Sequence, residues 1–273
     1  MFKHIEEVEF TIFDTETTGL EPESGDRIIE IAGIRFKGKE RISFYHSLVN
    51  PQIPIKESAL RINNIDDEML KDAPKIEEVL PKFLDFIKGS HLCAYNAGFD
   101  MSFLKREAEL INLTYPKDLI VIDLLKMSKC LMPGLNSYAL ISVAKALDIK
   151  VGVFHRALFD AEIGFEIFQR LKDILLGKGI SDFANLSQLF SLKTDYLEYF
   201  YSKRIDKLQE AIDLGLKLKI RYFSSKDAQI TEREVIPKQI KQQNDRFYLI
   251  GFCLLRNEER SFNIDGILHI EIV

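Results

Sequence analysis

The pattern of apolar and polar residues predicts three strands at the start of the chain. Residues 8–13 alternate with the period of two that is typical of a half-buried strand, and a polar segment containing glycine follows Asp14. Residues 27–36 and 41–49 are predicted as a second and a third strand, and the segment 37–40 between them has the composition of a hairpin turn. The chain therefore opens with one strand and a predicted hairpin.

Helical spacing replaces this pattern after the third strand. Apolar residues recur every three or four positions in five segments, and two short apolar runs between these segments indicate strands. The predicted helices cover residues 76–88, 102–111, 122–131, 138–147 and 158–175, and the predicted strands cover residues 91–95 and 119–121. Three strands followed by alternating helices and strands imply an α/β domain with a mixed sheet and helices on both faces.

The C-terminal third has a different organisation. After a weakly patterned connector, a predicted helix at residues 205–216 precedes five strand candidates at residues 219–223, 232–237, 247–254, 260–264 and 268–273. One helix followed by short strands indicates a small β-barrel or sandwich. We therefore predict two domains, residues 1–175 and 204–273, joined by a helical linker at residues 176–203.

Composition excludes several classes of protein. Of the 273 residues, 46 % are hydrophobic and 29 % are charged, as in an ordinary globular protein. No apolar run approaches the roughly 20 residues of a membrane span, and the N-terminus lacks a signal-peptide pattern, so we expect no membrane partner. Three scattered cysteines, Cys93, Cys130 and Cys253, form no CxxC motif. They favour a reduced, cytoplasmic protein without a disulfide framework or a cysteine–zinc site.

The net charge of −5 argues against a protein that holds long nucleic acid by bulk positive charge. It does not exclude an enzyme that acts on a short end of a strand. Residues 1–175 have an acidic excess and residues 203–273 a small basic excess. The change of sign suggests two units with different roles, although a difference of this size can also arise by chance.

Two carboxylates at the end of the first strand are candidate metal ligands. Asp14 and Glu16 are two residues apart, so an extended backbone places both on one face. Carboxylates this close repel each other unless a cation lies between them, and oxygen ligands favour Mg²⁺ or Mn²⁺. The turn that follows contains Gly19, which would let a nucleotide approach the backbone closely. A lone Asp-x-Glu is, however, more often a solvated strand end.

Two later segments carry similar weak signals. Asn96 and Asp100 follow the strand at residues 91–95, where either could cap the next helix or serve a site. His155 precedes the last predicted helix of the domain, and Asp160 lies in its first turn, where the helix dipole favours an acid in any case. Together, the three segments could form one pocket from Asp14, Glu16, Asp100, His155 and Asp160.

These motifs and their order resemble those of the DnaQ-like (DEDDh) 3′–5′ exonucleases. The resemblance extends over residues 10–169 and includes the connecting segments 26–31, 49–51, 123–125 and 133–140. That family has a ribonuclease H-like fold and includes the proofreading subunits of bacterial replicative DNA polymerases. The resemblance implies hydrolysis of phosphodiester bonds at the 3′ end of single-stranded or frayed DNA, with two Mg²⁺ or Mn²⁺ ions and release of nucleoside monophosphates.

The resemblance also implies a role for each matched residue. Asp14 is shared by the two ions, Glu16 and Asp160 complete their coordination, Asp100 acts directly or through water, and His155 is the general base. The implied substrate-binding positions are Thr17, Gly19, Leu20, Asn96 and Phe99. Tyr95 stands where the family usually has histidine. Because the implied base is His155, we expect this departure to alter packing and to leave the chemistry in place.

Residues 205–273 resemble the WYL domains, Sm-like β-barrels of bacterial regulators that are thought to sense nucleotides or single-stranded nucleic acid. Residues 247–249, Phe-Tyr-Leu, stand where that family has Trp-Tyr-Leu. Asn263 and Gly266 occupy positions where basic residues are common. The remaining candidates for a ligand site are Arg221, Arg246, Arg256 and Arg260, with Tyr222, Phe247 and Tyr248 for base stacking. The alternative is that the arginines are solvated and the aromatic residues belong to the core.

Two other functions remain open at this stage. The substrate could be short RNA, because recognition of the 2′-hydroxyl depends on the shape of the pocket. A ligand-responsive nucleic-acid-binding regulator with an inactive nuclease fold is a second alternative, although the complete set of acids argues against it. The C-terminal unit does not resemble a polymerase-binding tail, which argues against a free-standing proofreader.

Overall fold

A mixed five-stranded sheet forms the centre of the N-terminal domain. In the computed structural model, which describes residues 3–114, 116, 119–151, 156–192, 195–244 and 246–273, its strands lie in the order β3-β2-β1-β4-β5. Their bounds are Glu9–Thr17 (β1), Ile28–Lys37 (β2), Glu40–Leu48 (β3), His91–Ala94 (β4) and Val121–Asp123 (β5). The pairs β1–β2 and β2–β3 are antiparallel, whereas β4 runs parallel to β1 and β5 parallel to β4. The predicted α/β domain with a mixed sheet is confirmed.

Helices cover both faces of this sheet, as predicted. Their bounds are Glu57–Asn63 (α1), Asp67–Leu70 (α2), Ile76–Phe86 (α3), Ala97–Leu110 (α4), Leu124–Leu131 (α5), Leu140–Ala146 (α6) and Ala157–Gly177 (α7). Alternate residues of β1 point to opposite faces, so Phe10 packs against Phe168 of α7 while Phe13 packs against Phe83 of α3. The two apolar cores hold the sheet between these helices.

Two boundaries near the candidate site differ from the prediction. β1 continues to Thr17 instead of ending near residue 13, because its polar end pairs with β2, with Glu16 opposite Glu30. Asp14 and Glu16 therefore lie within a paired strand. α4 begins at Ala97, five residues before the predicted start, because Asn96 adopts a left-handed conformation (φ 63°) that turns the chain directly from β4 into the helix. The helices α1 and α2 were not predicted.

The C-terminal part contains two helices and a second sheet. The helices are Phe183–Phe190 (α8) and Asp195–Asp213 (α9), and the strands are Leu218–Ser224 (β6), Gln229–Gln243 (β7), Arg246–Cys253 (β8), Glu258–Asn263 (β9) and Ile267–Ile272 (β10). The strands are antiparallel in the order β10-β6-β7-β8-β9. Among the described residues, the edge strands β9 and β10 do not pair with each other, so the predicted closed barrel is not confirmed.

α8 connects the two sheets. Ser191, which follows this helix, forms a β-bridge with Ile122 in β5. Near the same end of the helix, Gln188 Nε2 donates hydrogen bonds to the backbone oxygens of Asp265 (2.6 Å), in the connection between β9 and β10, and of Ile267 (3.1 Å), the first residue of β10. The second sheet is therefore attached at the edge of the first sheet that β5 forms.

The cysteines and the helices of the described residues can be compared with the expectations from composition. The three cysteines are free thiols, and Cys93 and Cys253 are buried. None of the helices in the described ranges combines the length and the apolar composition that crossing a membrane requires.

Candidate active site

Three carboxylates meet where β1 and the start of α7 come together. Asp14 and Glu16 extend from one face of β1, and Asp160 lies in the first turn of α7, which packs across β1 and β2. One carboxylate oxygen from each of the three residues lies within 4.8 Å of the other two. Their arrangement follows from the period of the strand and the position of Asp160 one turn into the helix.

Asp100 approaches the same strand from α4. Its carboxylate is buried (2 % exposed), and Oδ1 accepts hydrogen bonds from the backbone nitrogen (3.0 Å) and the hydroxyl group (2.7 Å) of Thr15. Thr15 is the residue between Asp14 and Glu16. Neither Asn96 nor Asp100 caps α4 through its side chain, so the capping interpretation of Asp100 is wrong. Burial raises the pKa of Asp100 to about 7, against the effect of the Thr15 hydrogen bonds.

Burial and mutual repulsion disfavour the charged forms of these acids. The pKa of Asp14 is raised well above its usual value by burial, and further by the charges of Asp100, Glu16 and Asp160. Burial also raises the pKa of Glu16 to about 8, with contributions from Asp160 and Glu30. A divalent cation would relieve the repulsion and favour the ionised carboxylates. The clustered oxygen ligands therefore fit Mg²⁺ or Mn²⁺.

Glu30 connects this cluster to the segment that leads into α7. Its side chain is fully buried and accepts hydrogen bonds from Arg156 (Nη2, 2.7 Å), the backbone nitrogen of Ala157 (2.9 Å) and His46 (Nε2, 2.7 Å). Burial alone would raise the pKa of Glu30, but these hydrogen bonds lower it overall. No role for Glu30 was predicted from the sequence, although a lone acid within the apolar residues 28–34 was a signal that could have identified it.

Three of the predicted substrate-binding residues lie at the end of β1 and in the loop after it: Thr17, Gly19 and Leu20. The Thr17 hydroxyl is turned toward the protein and donates a hydrogen bond to the Gly19 backbone oxygen at 2.5 Å. Leu20, in this loop, is 73 % exposed, although its side chain is large and apolar. Its exposure leaves it accessible to the face of a nucleotide base.

Asp26 explains why residue 19 is glycine. A β-carbon at this position would lie 2.3 Å from Asp26 Oδ2, so a larger residue would displace the carboxylate. Asp26 in turn accepts hydrogen bonds from the Thr18 hydroxyl (3.2 Å) and the Glu21 backbone nitrogen (3.1 Å), and it pairs with Lys56 (2.6 Å). The expected reason, close approach of a nucleotide to Gly19, is therefore not needed. This role of Asp26 was not predicted from the sequence.

The remaining predicted residues lie around the start of α4 or outside the described residues. Asn96 is exposed, and Phe99 is half-buried, with its ring centroid 5.0 Å from that of Phe103. Tyr95 donates a hydrogen bond to the Tyr138 backbone oxygen at 2.6 Å, in line with the packing role expected for it. The predicted base, His155, lies outside the described residues.

The comparison with known families identifies the N-terminal domain. Residues 11–168, more than half of the chain, match the family model described as "Exonuclease". The chain belongs to this exonuclease family. Residues 203–272 of this exonuclease match the WYL domain model. The predicted enzyme class and the predicted combination of an exonuclease with a WYL domain are thereby confirmed.

Curated relatives of the exonuclease include bacterial DNA polymerases. The DNA polymerase III PolC-type of Caldanaerobacter subterraneus subsp. tengcongensis is 42 % identical over 183 residues, which are 67 % of this chain and 13 % of the relative. The DNA polymerase III subunit epsilon of Treponema pallidum is 40 % identical over 165 residues, 60 % of this chain and 76 % of the relative. The exonuclease thus spans only a small part of the length of the PolC-type relatives.

Solved structures place the exonuclease in the ribonuclease H-like fold that the sequence predicted. Exonuclease X in complex with 5′ overhanging duplex DNA has a TM-score of 0.51 and 28 % identity, covering 65 % of this chain and 99 % of that one. E. coli exonuclease I in complex with a dT13 oligonucleotide has a TM-score of 0.59 and 17 % identity, covering 90 % of this chain and 55 % of that one. The nuclease domain of 3′hExo, a DEDDh family member bound to rAMP, has a TM-score of 0.55 and 21 % identity, covering 68 % of this chain and 96 % of that one.

Proposed function

We propose that this protein is a divalent-metal-dependent 3′–5′ exonuclease that releases nucleoside monophosphates from single-stranded or frayed DNA. The observation that carries the proposal is the meeting of the Asp14, Glu16 and Asp160 carboxylate oxygens within 4.8 Å of one another. Buried Asp100 adjoins them through Thr15. In a chain of the exonuclease family, such a cluster is suited to hydrolysis of a phosphodiester bond.

Each proposed residue has a distinct task. Asp14, Glu16 and Asp160 would hold the cations, and Asp100 would act directly or through a water molecule. When bound, two ions would stabilise the attacking and leaving oxygens of an in-line displacement. His155 would take the proton from the attacking water, a task that suits a side chain titrating near neutral pH. This assignment of His155 rests on the family resemblance.

The terminal nucleotide would bind over the loop after β1 and the start of α4. Leu20 offers an exposed apolar surface to the base, and Phe99 would shape the pocket beneath it. Thr17 and Gly19 would present the loop backbone, which Asp26 holds in place. Asn96 is exposed at the start of α4, where it would contact the same nucleotide.

DNA is the proposed substrate because the similar curated relatives are DNA polymerases and exonuclease X was solved with DNA. RNA is the second candidate, since the nuclease domain of 3′hExo was solved with rAMP. Degradation of matched DNA and RNA oligomers, compared by kcat/KM, distinguishes the two substrates. We expect the DNA oligomer to be degraded with the higher kcat/KM.

The WYL domain is the proposed site of a further contact with single-stranded nucleic acid or a nucleotide. A helix, α9, followed by strands in the order β10-β6-β7-β8-β9 supports an Sm-like arrangement for this domain. The regulator with an inactive nuclease fold has less support, because the acids of the cluster are all present. We propose the cytoplasm, the compartment of a reduced chain with free thiols.

Substitution of the clustered acids tests the proposed function. Asp14→Asn and Asp160→Asn should each abolish the Mg²⁺-dependent release of monophosphates from a 5′-labelled oligomer. Asp173→Asn is the matched control, because Asp173 is an exposed acid farther along the same helix, paired with Lys39 at 3.4 Å. Full activity in Asp14→Asn and in His155→Ala would overturn the assignment, as would wild-type activity that persists in excess EDTA.

A further inference from the structure

The strand β3 forms an open edge of the exonuclease sheet. Among the described residues it pairs with β2 alone, so the other side of its backbone has no strand partner. The opposite edge of the same sheet, β5, is in contrast extended by the bridge between Ile122 and Ser191. A free edge offers a row of backbone donors and acceptors to any extended segment that approaches it.

The side chains of β3 do little to protect this edge. Phe44 is 69 % exposed and Ile42 is 51 % exposed. Residues 42–48 contain no lysine, arginine, acidic residue or proline, the residues with which proteins usually prevent edge-to-edge pairing. A bulge in the pairing with β2 at Ile42 is one protective feature, but the strand is regularly paired from Ser43 to Leu48. We therefore expect a second strand to cover this edge.

The sequence of this segment is close to a palindrome centred on Tyr45. Residues at equal distances on either side of Tyr45 have similar side chains: Phe44 and His46, Ser43 and Ser47, and Ile42 and Leu48. Two antiparallel copies of β3 centred on Tyr45 would therefore place ring opposite ring, hydroxyl opposite hydroxyl and aliphatic opposite aliphatic. Cross-strand pairs of these kinds stabilise antiparallel sheets. Like charges would not face each other, because the flanking Arg41 would lie opposite Val49.

We infer that the protein forms a homodimer in which the β3 strands of two copies pair antiparallel across a two-fold axis at Tyr45. The partner is a second copy because an edge with this symmetry complements itself, which a two-fold interface requires and an unrelated peptide does not. The two five-stranded sheets would join into one continuous sheet, with α7 of both copies on the same face. The dimer is independent of the proposed function, because the clustered carboxylates take no part in the pairing.

The pairing would also reach the surroundings of the active site. Phe44 is opposite Ile34, which belongs to the apolar core on the α7 side of the sheet. His46, two residues later, lies on the same face, and its Nε2 is 2.7 Å from Glu30 Oε1. Phe44 of the second copy would lie opposite His46 and cover the imidazole ring. The interface would thus shield the contact between His46 and Glu30 from water.

The mass of the full chain in solution tests the dimer. Sedimentation velocity should give twice the 31.5 kDa of one chain, with a monomer fraction that grows on dilution. Phe44→Lys removes an aromatic contact from both symmetric pairs, so the dissociation constant should rise about tenfold. Leu255→Lys is the matched control, because Leu255 is also exposed (62 %) but lies between β8 and β9 in the other sheet. This control should dimerise like the wild type.

Cysteine cross-linking tests the register. In the proposed pairing, Ser43 of each copy faces Ser47 of the other, with β-carbons about 5 Å apart. Oxidation of a mixture of Ser43→Cys and Ser47→Cys chains should therefore give a disulfide-linked dimer. Each variant alone should give none, because two residues 43 would lie about 13 Å apart, as would two residues 47. The wild type, oxidised in parallel, controls for the native thiols.

Several results would contradict the dimer. A wild-type chain that stays monomeric at its highest soluble concentration would overturn it, and would leave the edge to a strand of another protein. Equal dissociation constants for Phe44→Lys and Leu255→Lys would do the same, provided that circular dichroism shows a retained fold. A disulfide-linked dimer of Ser43→Cys alone would overturn the pairing centred on Tyr45.

Discussion

At the scale of single residues, the clustered acids link the stability of the fold to pH. The raised pKa values of Asp14 and Glu16 mean that the folded protein keeps their protons where the unfolded chain has already lost them. Protonation of these acids stabilises the folded state fully below the pKa of about 4 that they have in the unfolded chain. This stabilisation is lost as the pH rises through about 8, the pKa of Glu16 in the folded protein. A bound cation acts against this loss, because it favours the ionised carboxylates.

We therefore expect the metal-free protein to unfold at a lower temperature at pH 8 than at pH 5. In Asp14→Asn, the unfolding temperature should decrease less between pH 5 and pH 8. Excess Mg²⁺ should raise the unfolding temperature at pH 8 and have little effect at pH 5, where protons compete with the metal. Thermal unfolding in EDTA and in Mg²⁺ measures both effects. Asp173→Asn should follow the wild type, and an equal pH dependence of wild type and Asp14→Asn would contradict the prediction.

Glu30 is expected to act as a positioning residue. Glu30→Gln keeps the size of the side chain but removes the charge that holds Arg156 and the backbone of Ala157, immediately before the turn of Asp160. Because the Arg156 side chain is 33 % exposed and water can solvate it, we expect the loss of this partner to cost about 1–3 kcal/mol of stability. We expect kcat to fall at least tenfold and the required Mg²⁺ concentration to rise, because Asp160 is no longer held against β1.

Glu107→Gln provides the control for Glu30→Gln. Glu107 is also buried, and it accepts hydrogen bonds from Arg27 (Nε, 2.9 Å) and from the backbone nitrogen of Ile28 (3.1 Å), but it joins α4 to the start of β2. Both variants should lose similar stability in denaturant titrations. If Glu107→Gln changed the Mg²⁺ dependence as much as Glu30→Gln, the positioning role of Glu30 would be refuted.

At the scale of elements, the loop after β1 depends on the fit of Gly19 against Asp26. Gly19→Ala should lower both stability and activity, with a cost of about 1–3 kcal/mol, because the added methyl group overlaps the carboxylate. Asp26→Ala removes the obstacle but also the hydrogen bonds that hold the loop. In the Asp26→Ala background, Gly19→Ala should therefore cost less than it does alone. A double-mutant cycle in urea measures the difference, and strict additivity would contradict the proposed fit.

The same elements indicate how far the sequence determines the site. Asp14 and Glu16 could be predicted because the period of a strand places both on one face. Asp160 could be predicted because the spacing of apolar residues indicates a helix that begins just before it. The full extent of β1 could not be, because Glu16 and Thr17 are polar and become strand only by pairing with β2. Glu30 and Arg156 are 126 residues apart, and only the folded chain brings them into contact.

At the scale of the whole molecule, the two domains share part of one apolar core. Phe223 of β6 is almost completely buried, and its ring lies 6.3 Å from that of Phe190 of α8. Both belong to the core cluster that also contains Ile122 of β5. Phe262 of β9, in contrast, packs within the core of the C-terminal sheet alone. The shared core is expected to make the domains unfold together.

Calorimetry of two phenylalanine variants tests this coupling. The wild type should show a single transition, because exposure of the C-terminal sheet also exposes part of the N-terminal core. Phe223→Ala should cost about 3–5 kcal/mol and separate the transition into two, since it removes the contact with Phe190. Phe262→Ala should destabilise the C-terminal sheet by a similar amount. Because this variant keeps the contact between Phe223 and Phe190, both domains should still unfold in one transition, at a lower temperature. Two separate transitions in the wild type would show instead that the WYL domain unfolds independently of the exonuclease domain.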